Sequence, residues 1–306
     1  MDDKHLFPNF LPITPENRSL YESFLSHEEL YSDSNFTSLY SWDAYKQNGY
    51  SIHNKNLVLR LTDYLSNETI YSLIGTQDID ETLLELLNDP EYSSSSNAIH
   101  LVPEMTVHNI QNKDNFIIRE ELDNFDYIYN LEDIATLRGR SFKSKRQSAN
   151  RCERNTALTM QSHKMLSSDI ADVLLHMLDE WVEHKVVNGK EIEDSRNELA
   201  ALNKVLEIFD ATEKLELSTI SDGSKLVGFS IDEFATDKHV LSHYCKTLPT
   251  ITGLAELFNR NMARAFLSKG YKYWNWEQDT GSEKLRRIKL SYRPNHYSKK
   301  YSISLQ

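Results

Sequence analysis

The stretch LELSTISDGSKLVGFSIDEFATDKHVLSHYC, residues 215–245, contains three strand-like runs separated by polar turns. The runs are LELSTI, KLVGFSID and HVLSHYC, and a Ser-Asp-Gly-Ser turn joins the first two. A short glycine-containing turn between two such runs is typical of a β-hairpin. The stretch therefore predicts three consecutive strands, with antiparallel pairing, in a central sheet.

Helical segments lie on both sides of these strands. The expected helices span residues 168–185, 196–210 and 252–269, and further strands are expected at 271–276 and 296–305. Thr252 is expected to cap the third helix, and Gly270 is expected to end it. The order helix-helix-strand-strand-strand-helix-strand-strand predicts an α+β domain with a central, mostly antiparallel sheet.

The first half of the chain shows a weaker version of the same mixed pattern. A helix is expected at 14–30, and residues 50–65 contain two strand-like runs around an Asn-Lys-Asn turn. Since a chain of 306 residues is too long for most single cores, two domains are expected. We predict an N-terminal domain at 1–130 and a C-terminal domain at 131–306, each a mostly antiparallel sheet flanked by helices.

The formal net charge of −12 indicates a surface that repels nucleic acid and anionic membranes unless basic residues are clustered. No apolar run is long enough to cross a bilayer, and the first residues lack the positive and apolar regions of a secretory signal. The two cysteines, Cys152 and Cys245, do not make a disulfide framework, and no Cys-x-x-Cys pattern suggests a metal site. We therefore expect a reduced, cytoplasmic protein without a bound metal.

A strongly basic stretch, LRGRSFKSKRQSANRCERN, spans residues 137–155 and is predicted to be helical from about Ser141 onward. Several of its side chains recur at three- and four-residue spacing and would share one helix face: Arg140, Lys143, Gln147, Arg151 and Arg154. Clustered cations are sufficient to bind phosphates, and on an acidic protein they would concentrate anions locally. The alternative is a helix face that only meets solvent.

Carboxylates and cations also interleave in WNWEQDTGSEKLRRIKLSYRP, residues 274–294. On an extended strand Glu277 and Asp279 would point to the same face. Arg286 and Lys289 would share a face if their segment is helical. Carboxylates suit an ammonium group, whereas Arg and Lys suit phosphates or an oxyanion. The stretch predicts either the wall of a binding site or a loop that its own ion pairs hold in place.

The same stretch resembles the signature of the phosphatidylglycerol lysyltransferase C-terminal domain family, also called DUF2156. The matching positions are Glu277, Gln278, Asp279, Gly281, Leu285, Arg286, Lys289, Ser291, Tyr292 and Pro294. A second match in the basic stretch comprises Leu137, Gly139, Phe142, Lys145, Arg146 and Asn150. Thr280 departs from the pattern, which usually has an apolar residue there. The resemblance covers nearly the whole chain. Lipid-modifying members of the family also carry a membrane domain, which we do not recognise in this sequence.

The resemblance implies two tandem GNAT-like (acyl-CoA N-acyltransferase-like) domains. It also implies transfer of an aminoacyl group from aminoacyl-tRNA to a hydroxyl or amine acceptor, such as a lipid head group. No cofactor is implied beyond aminoacyl-tRNA as co-substrate, and the acceptor, the oligomeric state and any peripheral membrane contact stay open.

The resemblance, together with the chemistry of the side chains, assigns roles to individual residues. The residues expected to be catalytic are Asp279, Glu277, Arg286 and His243, the last as a general base near neutral pH. The residues expected to bind substrate are Lys289, Tyr292, Tyr244 and Gln278. The residues expected to bind tRNA phosphates are Arg140, Lys143, Lys145, Arg146 and Arg151.

Two other functions fit the residues. An acyl-CoA-dependent N-acyltransferase needs backbone N–H groups at a helix N-terminus to hold the CoA pyrophosphate. The segment KTLPTITGLAE, residues 246–256, has one glycine, Gly253, and a proline, Pro249, which has no N–H to donate. A non-catalytic protein that binds a small amine or a peptide would keep the carboxylates and need no groove for a second substrate.

Overall fold

The computed structural model describes residues 7–25, 30–43, 46–62, 68–89, 92, 97–186 and 192–306, without the side chains of residues 168, 183–186 and 192–196. The chain divides into two compact units. Unit 1 comprises residues 1–126, 278–282 and 297–306, and unit 2 comprises residues 127–277 and 283–296. The predicted domains, 1–130 and 131–306, are each continuous in sequence. In the structure, two C-terminal segments, 278–282 and 297–306, belong to unit 1.

The regular elements follow one another in mixed order. The strands are β1 (Leu11–Pro12), β2 (Gly49–His53), β3 (Asn56–Thr62), β4 (Thr69–Ile74), β5 (Ile99–Pro103), β6 (Phe116–Glu120), β7 (Asp126–Asn130), β8 (Leu158–His163), β9 (Leu215–Asp222), β10 (Lys225–Glu233), β11 (His239–Thr247), β12 (Tyr273–Asn275), β13 (His296–Ser298) and β14 (Lys300–Leu305). The α-helices are α1 (Arg18–Glu22), α2 (Phe36–Ser41), α3 (Ile79–Asn88), α4 (Glu104–His108), α5 (Leu131–Thr136), α6 (Lys143–Asn155), α7 (Ser168–Val186), α8 (Ile192–Ile208), α9 (Leu254–Ser268) and α10 (Glu283–Ser291).

Unit 1 contains two antiparallel sheets, one in the order β1-β2-β3-β4 and one in the order β5-β14-β6. The predicted hairpin is β2–β3, and its turn residues Asn54 and Lys55 both have positive φ, as a type I′ turn requires. The C-terminal strand β14 belongs to this unit because it pairs with both β5 and β6. The helix predicted at 14–30 is shorter, with a 3-10 turn before α1, and residues 26–29 lie outside the described residues.

Six strands of the larger sheet build unit 2, in the order β7-β12-β11-β10-β9-β8. Neighbouring strands are antiparallel except β11 and β12, which are parallel and joined by the crossover helix α9. The three strands predicted within 215–245 are β9, β10 and β11. Helix α7 packs on β10 and β11, while α9 packs on β11 and against α5 and α6. The predicted α+β class with mostly antiparallel sheets is confirmed.

The core of unit 2 is formed by the sheet and by the helices that pack on it, among them α7 and α9. Its fully buried side chains include Leu217, Phe229, Ile231, Val240, Phe258, Met262, Phe266 and Trp274. Phe266 of α9 and Trp274 of β12 meet edge to face, with ring centroids 5.3 Å apart, and each buried side chain of this size contributes about 1.5–3 kcal/mol. This packing fixes where α9 begins and ends relative to β11 and β12.

The predicted start of α9 is wrong. The helix begins at Leu254, and Gly253, with φ of 86°, is its cap residue in place of Thr252. A side chain on Gly253 would place its Cβ 2.5 Å from the Ser148 carbonyl oxygen of α6, so the close approach of α6 requires glycine here. Among the helices that the structure describes, none is long and apolar enough to cross a membrane.

Candidate active site

The parallel strands β11 and β12 separate after a short region of pairing. Their register runs from His239↔Tyr273 to Leu241↔Asn275, where β12 ends. The strand predicted at 271–276 is therefore shorter, and β11 continues to Thr247 without β12 beside it. This divergence opens a wedge, which we define by residues 242–247 of β11 and residues 276–277.

The chain leaves β12 in a conformation that fixes Glu277 at the wedge. Trp276 N donates to Tyr127 O (3.0 Å), and Glu277 has a φ of 56°, a left-handed value that is uncommon outside glycine. Glu277 N donates to Asn275 Oδ1 (2.6 Å), and Glu277 O accepts from Tyr127 N (3.2 Å). The prediction that Glu277 and Asp279 alternate along one strand is wrong, because neither residue lies in a strand.

Lys289 of α10 holds the same turn. Its buried ammonium donates to Trp276 O (2.6 Å) and to Glu277 O (3.0 Å). Arg286 and Lys289 both lie in α10, which meets the condition under which they would share a helix face, and Arg286 is half-buried there. These hydrogen bonds hold the turn that carries Glu277, and the ammonium also lies 5.4 Å from the ring centroid of Tyr127. The predicted role of Lys289 in substrate binding stays a prediction.

His243 occupies a β-bulge in β11. The β10–β11 register pairs Ile231 with Tyr244 and then Asp232 with Ser242, which leaves His243 as the extra residue. A bulge redirects a side chain from the regular alternation of its strand, and such bulges are common beside active sites. The bulge turns the imidazole of His243 toward the acidic side chains at the wedge.

The buried imidazole of His243 lies between two carboxylates. Its Nε2 is 3.0 Å from Glu233 Oε2, and its Nδ1 is 3.6 Å from Glu277 Oε1. Burial by itself lowers the pKa of His243, but the hydrogen bonds and charges of Glu233 and Glu277 outweigh burial and raise that pKa to about 9. At neutral pH His243 is an imidazolium without a lone pair, so its predicted role as a general base does not fit this environment.

Tyr244 follows the bulge and is buried at the wedge. Its hydroxyl has no hydrogen-bond partner among the described residues. Burial, and then the negative charges of Glu198 and Glu277, raise the pKa of Tyr244 well above its ordinary value. The hydroxyl therefore stays protonated, and it is available to donate a hydrogen bond to a bound group.

Cys245 continues the wall of the wedge on β11. Its thiol is accessible to solvent and donates to Asn259 Oδ1 (3.5 Å), while Asn259 Nδ2 donates to the hydroxyl of buried Tyr292 (3.4 Å). The surrounding protein atoms raise the pKa of Cys245 to about 12 by desolvation. A thiol that stays protonated is a poor nucleophile.

Asp232 and Ser242 form a buried network that the sequence analysis missed. The Ser242 hydroxyl donates to Asp232 Oδ1 and accepts from Trp274 Nε1 (2.8 Å), while Asp232 Oδ2 has no partner among the described residues. Burial raises the pKa of Asp232 to about 7, although Ser242, Ser230 and the charge of His243 oppose the shift. The adjacent acids Asp232 and Glu233, at the end of a strongly apolar strand, were the available sequence signal.

The basic helix α6 presents a cationic face to solvent. Arg140, just before the helix, and Lys143, Arg151 and Arg154 within it are all exposed. None of these four side chains has a hydrogen bond or ion pair with a described residue. Lys143, Arg151 and Arg154 lie within one helix at the predicted spacing, whereas Arg140 precedes the helix. The charges of these residues are not neutralised within the described part of the chain.

The other two predicted phosphate-binding residues of α6 point inward. The Lys145 ammonium lies 3.7 Å from the ring centroid of Tyr292, and burial lowers the pKa of Lys145. The Arg146 guanidinium donates to Leu137 O and Gly139 O (3.2 Å to the latter). Both cations are used within unit 2, Lys145 in packing on Tyr292 and Arg146 in holding the loop before α6.

The remaining predicted site residues, Gln278 and Asp279, belong to unit 1. Gln278 Oε1 lies 2.7 Å from Ser32 Oγ, and Gln278 Nε2 donates to Asp33 Oδ1 (3.1 Å). Asp279 is fully buried, and its Oδ1 accepts from Gly281 N (2.9 Å) within a tight turn. The predicted roles of Gln278 in substrate binding and of Asp279 in catalysis stay predictions.

A buried lysine organises the same part of unit 1. Lys300 Nζ is 2.7 Å from Asp126 Oδ1 and also contacts the Asp33 carboxylate. Ser32 donates to Asp126 through its amide N–H and its hydroxyl (2.7 and 2.6 Å). Burial by itself lowers the pKa of Lys300, but the two carboxylates outweigh burial and raise that pKa above its ordinary value. This cluster joins β14 to residues that precede it by more than 170 positions.

Comparison with solved structures supports the fold. A conserved protein of unknown function from Bacteroides thetaiotaomicron shares 24% identity over 97% of this chain and 99% of its own, with a TM-score of 0.82. The L-PGS structure from Bacillus licheniformis shares 13% identity over 96% and 92% of the two chains, with a TM-score of 0.63. A DUF2156 domain assigned to a lysylphosphatidylglycerol synthetase of Agrobacterium fabrum shares 12% identity over 94% and 90%, with a TM-score of 0.62.

A search of the curated proteins found no significant match. The family profile described as "Phosphatidylglycerol lysyltransferase, C-terminal" matches residues 26–304, which is most of the chain. The match includes the basic stretch before and within α6, the wedge and the whole of α10. The chain belongs to the phosphatidylglycerol lysyltransferase C-terminal domain family.

Proposed function

We propose that this protein transfers an aminoacyl group from aminoacyl-tRNA to a hydroxyl or amine acceptor. The acceptor oxygen or nitrogen attacks the ester carbonyl carbon, and the bond from that carbon to the terminal ribose oxygen breaks. The proton of the nucleophile passes to the departing ribose oxygen, so the step balances without an oxidant. The family name points to a phosphatidylglycerol head group as the first acceptor to test.

The unpaired cationic face of α6 is the observation that carries the proposal. Arg140, Lys143 and Arg151 are exposed and have no acidic partner among the described residues. Such cations are suited to binding a polyanionic donor. The chain has a net charge of −12 and repels anions elsewhere, so an anionic donor would be attracted to this cationic face in particular. A small neutral substrate would not require it.

The wedge supplies groups suited to the acyl end of the donor. Glu277 is 21% exposed at its side chain and faces the wedge with a negative charge that could bind the ammonium of an aminoacyl group. The Tyr244 hydroxyl lacks a partner in the described structure and could donate to the carbonyl oxygen as negative charge develops on it. His243 keeps Glu277 oriented through its charged imidazole.

The rival donor, acyl-CoA, is disfavoured by the start of α9. A CoA pyrophosphate would bind the backbone N–H groups at this N-terminus. The backbone of α6 already lies against it, since a Cβ on Gly253 would be 2.5 Å from Ser148 O. The buried Arg260 further ties α9 to α6 through Asn150 Oδ1 (2.7 Å). The divergence of β11 and β12 suits either donor and does not discriminate between them.

The test uses the intact protein with a pool of aminoacyl-tRNAs, each labelled on one amino acid, and phosphatidylglycerol vesicles or cell extract as acceptors. We expect one amino acid to leave its tRNA faster than spontaneous hydrolysis and to appear in the acceptor fraction. Loss of label at the hydrolysis rate for every amino acid would overturn the proposal. Saturable binding of acetyl-CoA by calorimetry would instead support the rival donor, and ligand binding without turnover would support a non-catalytic role.

A further inference from the structure

A second concave site lies in unit 2, away from the wedge. The cavity has a volume of about 390 Å³ and is lined by Glu132, Ala135, Thr136, Arg138, Arg264 and Leu267. These residues come from α5, the residues just after it, and the C-terminal half of α9. Ala135 and Leu267 give the cavity an apolar part, and the two arginines give it positive charge.

The two arginines have few partners of their own. The Arg138 side chain is exposed and makes no hydrogen bond or ion pair with a described residue. Arg264 donates through Nε to Ala135 O (3.1 Å), which leaves its two terminal nitrogens without a partner among the described residues. Burial, and then the neighbouring charge of Arg260, lower the pKa of Arg264, so an anion beside it would be favourable.

The position of the cavity separates it from an acyl-CoA site. Arg264 lies ten residues after the start of α9 at Leu254, which is about 15 Å along the helix axis. The helix N-terminus, where a CoA pyrophosphate would bind, is therefore at the other end of α9. Since α9 packs against both α5 and α6, the cavity lies on the same three-helix layer as the cationic face of α6.

We propose that the cavity formed by Arg138 and Arg264 binds a phosphate group. Arginine presents paired N–H donors that match two phosphate oxygens. Two guanidiniums that line one cavity could donate to the same phosphate from two sides. The source that the surroundings favour is the backbone of an RNA that also contacts Arg140 and Lys143. That choice of source rests on the proposed function, whereas the phosphate site itself does not.

Single substitutions with opposite expected signs test the site. Arg138→Gln removes one positive charge without removing any contact within the described structure, and Glu132→Gln removes the one negative charge of the lining. Arg264→Lys keeps the charge of Arg264 but loses its paired donors. Arg119→Gln, at an exposed arginine of β6 in unit 1, is the matched control.

The readout is binding of a fluorescent tRNA over a series of salt concentrations. We expect Arg138→Gln to weaken binding about fivefold at 0.15 M salt and to lower the salt slope by about one. Glu132→Gln is expected to tighten binding, and Arg264→Lys to weaken it with the slope nearly kept. In parallel, calorimetry with inorganic pyrophosphate tests for a small phosphorylated ligand, and circular dichroism checks that each variant is folded.

The outcomes separate this inference from the proposed function. Weaker pyrophosphate binding in Arg138→Gln, with tRNA binding unchanged, would keep the phosphate site and assign it to a small ligand. Altered tRNA binding in a protein that transfers no aminoacyl group would keep the site and reject the proposed reaction. If Arg138→Gln and Glu132→Gln match Arg119→Gln with both probes, the cavity is not a phosphate site.

Discussion

At the scale of single residues, His243 acts through its charge. Its imidazolium lies between Glu233 and Glu277 and places a positive charge beside each of the two carboxylates. The folded-state pKa of about 9 lies above the ordinary value of 6.5. The stability that this proton contributes is complete below pH 6.5 and is lost as pH rises through 9.

Replacing His243 by Gln is expected to lower the free energy of unfolding by about 3 kcal/mol at pH 7, because a buried charge partner is removed. The difference from wild type should shrink between pH 7 and pH 10, since wild type loses the same contribution there. Urea unfolding at a series of pH values measures both effects. A difference that does not change with pH would mean that His243 is neutral in the folded protein.

Asp232 makes a prediction in a different pH range. Its folded-state pKa of about 7 lies above the ordinary 3.8, so the native state holds a proton that the unfolded chain releases between these values. Stability should therefore fall as pH rises from 4 to 7, by up to about 1.4 kcal/mol per pH unit. Asp232→Asn keeps an acceptor for Ser242, and we expect it to lack this slope and to be more stable than wild type at pH 8. Parallel stability profiles would contradict the assignment.

At the scale of elements, α10 supports the wedge through one side chain. Lys289 holds the carbonyls of Trp276 and Glu277, and the left-handed φ of Glu277 depends on such external support. We expect Lys289→Met to lower stability by about 1.5–3 kcal/mol per charged hydrogen bond lost. The rate of aminoacyl transfer should fall by more than the folded fraction accounts for.

Lys284→Met, at an exposed position of the same helix, serves as the matched control. It removes one positive charge from α10 without removing a contact to the turn at 276–277. If the two variants transfer at equal rates per folded molecule, α10 does not position Glu277 for the reaction.

The junction of α6 and α9 predicts a large effect from a small side chain. In Gly253→Ala the new Cβ would lie 2.5 Å from Ser148 O, on a backbone with φ of 86°. Gly270→Ala has a similar φ of 96° but nothing within 4 Å of its Cβ, so it isolates the backbone strain of about 1 kcal/mol. Thermal unfolding should show a clearly larger loss for Gly253→Ala, and equal losses would contradict the close packing that disfavours acyl-CoA.

Local patterns predicted the elements well and the roles of side chains poorly. The strand-like runs within 215–245 correctly predicted β9, β10 and β11, because short apolar runs bounded by polar turns are a local property of the chain. From the sequence alone, Lys145 and Lys289 cannot be distinguished from an exposed cation such as Arg140. In the structure, contacts with residues distant in sequence turn both lysines inward. Such long-range contacts, like that of Lys300 with Asp126, leave no periodic signal to read.

At the scale of the whole molecule, charge is distributed unevenly. The chain carries 46 acidic and 34 basic residues, yet the exposed face of α6 keeps cations without an acidic partner in the described structure. The net negative charge of the chain repels polyanions in general, and a local cationic face determines where one can bind. This uneven distribution of charge is consistent with the proposed binding of aminoacyl-tRNA.

The most direct test of the account follows label from the active aminoacyl-tRNA to acceptor in a single turnover. Wild type, Glu277→Gln and the control Glu283→Gln, at an exposed glutamate of α10, are compared at equal folded concentration. We predict that wild type and Glu283→Gln transfer the aminoacyl group while Glu277→Gln is slower by about tenfold or more, the cost of losing one charged contact. Equal transfer by Glu277→Gln, or no transfer by wild type above spontaneous hydrolysis, would contradict the account.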